Sequence, residues 1–281
     1  MTAEGEGVAG MPAPETIDFE GLSVRLVRGG TDRGLPILLT SPWPQSVLAF
    51  RFIWDALAEL GPLIAVDLPG FGRSDASYLA LCPSGMGGLV VRLLDHLGIQ
   101  RCHAVGPDVG TPALLFAAHE APDLFATITV GSGGTDMSLV GDRLRGIIEG
   151  PESGLDVGDD AAAIVEVIKA LSALEPSAEV MEDYRLSSAH GRYREAAQYV
   201  RAYPRDLPLL QGFAGGIGSP VLVISGADDP LVPPSNGALL ERLIPDCRHE
   251  VLKSGHFVWE DAAAAYASLV SEWIRTGGRG D

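Results

Sequence analysis

The chain has 281 residues, 46% of them hydrophobic, 20% charged and 6% aromatic, so it can bury a sizeable core without metals or disulfides. Lys and Arg number 20 against 37 Asp and Glu, a formal charge of −17. So acidic a chain lacks the basic footprint that displaces phosphate counterions, which argues against nucleic acid and anionic membranes as partners and leaves neutral small molecules as natural ligands.

Residues 1–15 are small, acidic and rich in Pro and Gly, and predict a flexible leader without the basic and apolar regions of a signal peptide. Next, TIDFEGLSVRLVRGG alternates apolar and polar residues about Gly21 and predicts a β-hairpin over 16–29. Short apolar runs follow at 36–40, 62–67, 102–106, 126–131, 220–226 and 249–253. Helical patterns lie between them at 48–60, 84–98, 110–120, 234–243 and 260–276. Strands buried on both faces and separated by helices imply βα units and a doubly wound, mostly parallel sheet, an α/β protein.

The rhythm breaks at 135–215, where segments such as GDRLRGIIEG and RYREAAQYVRAY are helical and no strand signal occurs. The expected organisation is a core of 16–134 and 216–281 with an all-helical cap, 135–215, inserted over the carboxyl edge of the sheet. No charge-free apolar run reaches the roughly 18 residues of a membrane span. Cys82, Cys102 and Cys247 are odd in number and widely spaced, which suits neither a disulfide framework nor a zinc site. A cytoplasmic protein without metal or cofactor is the expectation.

The sharpest local feature is Gly106-Pro107-Asp108-Val109-Gly110, which follows an apolar strand and opens the helical run ALLFAAH. It is a G-x-D-x-G elbow at a strand-to-helix turn, with Asp where Ser is usual. A carboxylate there attacks saturated carbon and yields an alkyl ester, whereas Ser yields an acyl-enzyme. The plainer role for Asp108 is a helix cap. Two later segments shift the balance. Asp229, in Gly-Ala-Asp-Asp-Pro-Leu-Val-Pro, and His256, in Ser-Gly-His-Phe, each follow a strand. The order nucleophile, acid, histidine is that of elbow-type hydrolases. Between neighbours, the Gly-x-x-Asp spacing favours Asp229 over Asp228. The remaining histidines show no metal spacing.

On these residues the chain resembles α/β-hydrolase-fold enzymes of the epoxide hydrolase and haloalkane dehalogenase branch, over nearly all of 16–276. The loop Asp67-Leu-Pro-Gly-Phe-Gly-Arg-Ser-Asp75 adds to the likeness, as does Ser41-Pro42-Trp43-Pro44-Gln45. In the family that last segment usually reads His-Gly-x-Pro, with the N–H of x forming half of an oxyanion hole; here Ser41 and Pro42 replace His and Gly. The resemblance implies Trp43 and Val109 as backbone donors, Asp108 as nucleophile, and His256, oriented by Asp229, as the base for an ester-cleaving water.

The leaving group separates the two subfamilies. Halide needs aromatic N–H donors, typically a Trp after the nucleophile, but Val109 stands there and Trp43, Trp54, Trp259 and Trp273 all lie outside the cap. Epoxide needs a hydroxyl donor, and the cap carries Tyr184, Tyr193, Tyr199 and Tyr203. By resemblance to the family's lid tyrosine, which binds substrate, distance to the next strand favours Tyr199 as the match, while the Tyr184-Arg185 dipeptide favours Tyr184. Packing between helices is the plainer role for each. The expectation is an epoxide hydrolase acting on a small molecule. The alternatives are a haloalkane or haloacid dehalogenase, and a non-hydrolytic cyclase or ligand-binding relative. A homodimer is left open.

Overall fold

The computed structural model describes residues 10–279. Its strands are β1 (Glu15–Phe19), β2 (Leu22–Gly30), β3 (Ile37–Thr40), β4 (Pro62–Val66), β5 (Cys102–Pro107), β6 (Phe125–Gly131), β7 (Val221–Gly226) and β8 (Cys247–Leu252). They form one sheet in the order β1-β2-β4-β3-β5-β6-β7-β8. β1 and β2 pair antiparallel across a turn in which Glu20 and Gly21 both take positive φ, and β2 joins β4 antiparallel. Every pairing from β4 to β8 is parallel.

The sheet is buried on both faces, and side chains alternate between two cores. Along β3, Leu38 faces one core while Ile37 and Leu39 face the other. The first core packs under α2 (Pro83–His96) and α3 (Gly110–Glu120), the second under α1 (Trp54–Ala58) and, after the last strand, a C-terminal helix. Between β6 and β7 every element is helical: α4 (Asp142–Glu149), α5 (Ala162–Leu171), α6 (Ala178–Leu186), α7 (Arg192–Arg201) and α8 (Tyr203–Phe213), with short 3-10 turns. The chain then continues through α9 (Ser235–Leu243), α10 (Val258–Asp261) and α11 (Ala263–Thr276).

Three expectations need correction. The leader prediction falls partly outside the described residues, but Met11 is buried in the second core and β1 begins at Glu15. The helix expected over 48–60 is instead a 3-10 turn, Val47–Phe50, followed by the short α1. Its start is pinned, because Val47 N–H donates to Asp67 Oδ1 and Leu48 N–H to Ser46 Oγ. The helix expected over 260–276 breaks at Ala262, which leaves helical φ/ψ and separates α10 from α11.

Candidate active site

β4 and β5 flank β3 on opposite sides, so the chain leaves β3 one way and returns the other. That switch opens a crevice at the carboxyl ends of the strands, where open α/β sheets bind ligands. Trp43 follows β3 there and Asp108 follows β5. Asp108 adopts φ 55°, a left-handed conformation that only a tightly held residue keeps. Its N–H donates to Gly131 O at 2.8 Å, and its own carbonyl accepts from Thr111 N–H at 3.0 Å. Thr111 Oγ1 accepts from Gly131 N–H at 3.0 Å, stitching the elbow to the end of β6.

The two glycines of the elbow serve close approach. A Cβ on Gly106 would meet Leu114 Cδ1 at 2.5 Å, and one on Gly110 would meet Thr40 Oγ1 at 2.3 Å. Strand and helix therefore pack at backbone distance, and Asp108 is pushed up at the apex.

Asp108 Oδ2 accepts the Trp43 N–H at 2.7 Å, and the Val109 N–H is a second backbone donor to the carboxylate. His256 follows β8, and its Nε2 lies 3.8 Å from Asp108 Oδ1. On its other side His256 Nδ1 contacts Asp229 Oδ2 at 2.8 Å. Asp229 Oδ1 accepts the N–H groups of Leu231 and Val232, both at 2.9 Å, so the carboxylate is fixed before it orients the imidazole. Asp228 makes no such contact with His256.

All three side chains are buried. Burial pushes the Asp108 carboxyl up to about 6, against the opposing pull of His256 and the Trp43 and Val109 N–H groups. Burial alone would lower His256, but the Asp229 charge and hydrogen bond, with the Asp108 charge, raise it above its ordinary value.

The turn after β3 contains a cis Trp43-Pro44 bond. Behind it Gln45 is fully buried: its Nε2 donates to Glu260 Oε2 at 2.6 Å and its Oε1 accepts from Trp259 Nε1 at 3.0 Å. Glu260 also binds the Arg51 guanidinium and accepts the Tyr184 hydroxyl at 2.8 Å. One buried network thus ties the Trp43 turn to the segment that carries His256.

A cavity opens above Asp108 and His256, roofed by the helical insertion, with Leu144, Ile147, Val200 and Leu231 among its walls. The two expected substrate tyrosines do not line it. Tyr184 is buried against Arg51 and Glu260 in the second core. Tyr199 lies beneath the elbow, its hydroxyl spent on Val109 O at 2.8 Å. The tyrosines that do line the cavity are Tyr193, stacked on Trp43 with centroids 4.8 Å apart, and Tyr203. Tyr203 titrates well above its ordinary value because it is buried and because Asp108 charge acts on it. Arg143, from α4, also reaches this wall. In the sequence Gln45 stands out only within the segment after β3, and nothing there singles out Arg143 or Glu260.

Among the described residues no His, Cys, Asp or Glu cluster is arranged to hold a metal, and no helix is long and apolar enough to cross a membrane.

An eight-stranded, mostly parallel sheet with an acid–histidine–acid constellation at its carboxyl edge defines a class of hydrolase. Residues 36–263 match the alpha/beta hydrolase fold family, and the chain belongs to it. It is 26% identical over 273 residues to the dihydrolipoyllysine-residue acetyltransferase component of the acetoin cleaving system of Pseudomonas putida, covering 94% of this chain and 70% of that one. A shorter stretch of 106 residues, 38% of this chain, is 33% identical to 36% of the soluble epoxide hydrolase of Corynebacterium sp. strain C12. In structure it is similar to a haloalkane dehalogenase variant from Bradyrhizobium elkanii, with a TM-score of 0.80, 22% identity and coverage of 94% and 97%.

Proposed function

We propose that the protein hydrolyses epoxides of small organic molecules through an alkyl ester on Asp108, under a cap formed by α4–α8. The observation that supports this reading most is the shared cavity of Asp108, His256 and Tyr203. Oδ2 of Asp108 accepts the Trp43 N–H, which leaves Oδ1, the oxygen facing His256, to attack a ring carbon. The C–O bond of the ring breaks, and the departing oxygen takes the Tyr203 proton. His256 Nε2 then removes a proton from water, whose oxygen attacks Cγ of Asp108. The Trp43 and Val109 N–H groups hold the resulting oxyanion, a role worth about 3–4 kcal/mol per donor in related chemistry. Collapse breaks the bond from Cγ to the alkyl oxygen. That oxygen takes the proton of the hydroxyl just added to Cγ, which releases the diol and regenerates the Asp108 carboxylate, and the proton on His256 restores Tyr203.

The new product oxygen comes from Asp108 itself. A single turnover in H₂¹⁸O is therefore expected to place ¹⁸O in the Asp108 peptide and none in the first diol. Unlabelled Asp108 beside labelled diol would mean direct attack by water and would end the ester mechanism.

A second reading, halide displacement by the same carboxylate, is favoured by one observation. Trp43 lines the cavity and carries a buried indole N–H that has no acceptor. Halide release from haloalkanes without diol formation from epoxides decides for it.

A further inference from the structure

We propose that the natural substrate bears a carboxylate, received at the cavity mouth by Arg143 and the Tyr193 hydroxyl. This rests on the cavity above Asp108 being the substrate site, and it does not depend on the ester step.

α4 carries two arginines with opposite fates. Arg145 is engaged by the protein, donating to Met137 O at 2.7 Å and facing Glu149 at 3.6 Å. Arg143 is exposed, lines the cavity, and makes no hydrogen bond or ion pair among the described residues. In a chain with 37 acidic and 20 basic residues, a cation left without an acid at a pocket mouth is unexpected. The half-buried Tyr193 stands beside it, close enough for the Arg143 charge to oppose the upward push of burial on its hydroxyl. Its hydroxyl also lacks a protein partner among the described residues. Two unspent donors, one charged, therefore converge on one wall. A carboxylate, with acceptors but no proton to donate, satisfies both.

The charge count limits the anion. Arg143 is the sole Lys or Arg among the residues lining the cavity, which suits one negative charge and not a phosphate dianion. The overall charge does not forbid this, since screening confines repulsion to about 8 Å at physiological ionic strength. Much of the remaining lining is apolar, including Leu144 and Ile147 from α4 itself. The ligand class is thus an acid with its charge at the mouth, an apolar stretch, and its electrophilic carbon at Asp108. This replaces the neutral ligand expected from net charge alone.

The test is calorimetric titration of the unmodified protein with straight-chain saturated carboxylates and the matching amides, none of which can react. Carboxylates are expected to bind about two- to fivefold more tightly than amides of equal length, the range for an exposed charge pair. Arg143→Gln is expected to collapse that ratio to about one, and raised salt to shrink it in the unmodified protein. Amides that bind as well as carboxylates, a ratio that survives Arg143→Gln, or no saturable carboxylate binding would each overturn the proposal. The ¹⁸O experiment fails separately: unlabelled Asp108 alongside a ratio that collapses in Arg143→Gln would retire the ester and keep the carboxylate.

Discussion

Nε2 of His256 stands 3.8 Å from Oδ1 of Asp108, beyond hydrogen-bond length yet close enough for each charge to act on the other. The histidine lowers the Asp108 carboxyl, and the carboxylate raises the histidine. In the proposed cycle this coupling changes sign of use midway. Ionised Asp108 is needed for attack; once it is esterified its charge is gone, and His256 loses one support of its proton just when it must act as a base.

The pH dependence follows. Asp108 titrates at about 6, so ester formation is expected to fall as pH drops through that value. On the proposed cycle His256→Gln is expected to block ester hydrolysis and let the adduct accumulate, so intact-protein mass would follow the first step alone. That variant also removes a cation that holds Asp108 down, so its acid limb is expected at higher pH than in the unmodified protein. A midpoint that stays put or moves down would contradict the coupling.

Asp108→Asn is expected to stabilise the fold while abolishing turnover. Burial raises the carboxyl from 3.8 to about 6, so the ionised form is penalised in the folded state only. At about 1.4 kcal/mol per unit, the penalty removed is about 1–3 kcal/mol, and Asn tolerates the positive φ as well as Asp does. The sign sets the window. The gain is fully present above pH about 6, shrinks as pH falls from there, and vanishes below 3.8, where both states are neutral. Urea unfolding of both proteins across that window checks it.

Tyr203, on the cavity, and Tyr184, outside it, separate in the same manner. Tyr203→Phe is expected to lower kcat/KM for an epoxide by about a hundredfold or more, the worth of a positioned proton donor. Tyr184→Phe is expected to change kcat/KM by less than about threefold, and to lose about 1–2 kcal/mol of stability as the Glu260 and Arg51 contacts go. Steady-state kinetics and urea unfolding on both variants read the two effects. The reverse pattern would return the donor role to Tyr184.

The strands were legible because a sheet buried on both faces writes itself as short apolar runs, and the elbow because Gly106 and Gly110 must admit Leu114 and Thr40. The choice of tyrosine was not legible. Tyr199 and Tyr203 are four residues apart, a spacing that shares a face on one helix, but α7 ends at Arg201 and α8 starts at Tyr203. The break turns Tyr199 beneath the elbow and leaves Tyr203 on the cavity. Arg51 and Glu260 lie 209 positions apart, and no periodicity links them. Arg143 lies in the helical segment GDRLRGIIEG, and no spacing within that segment shows that the fold places it on the same cavity as Asp108.

The Arg51–Glu260 pair makes the last prediction, because its value lies in what it prevents. Both side chains are buried, and Glu260 serves Gln45 and Tyr184 as well. Glu260→Ala removes an acceptor from three donors and strands the Arg51 charge, so a loss of about 3–5 kcal/mol is expected. Replacing both partners with Met removes the stranded charge and is expected to cost less than Glu260→Ala alone, as measured by urea unfolding. Either change unties Gln45 from one of its two anchors, so the Trp43 N–H that holds Asp108 Oδ2 is positioned less tightly. Turnover is therefore expected to fall in the double variant even where stability recovers. A double variant as active as the unmodified protein would show that the network supports the fold and not the oxyanion donor.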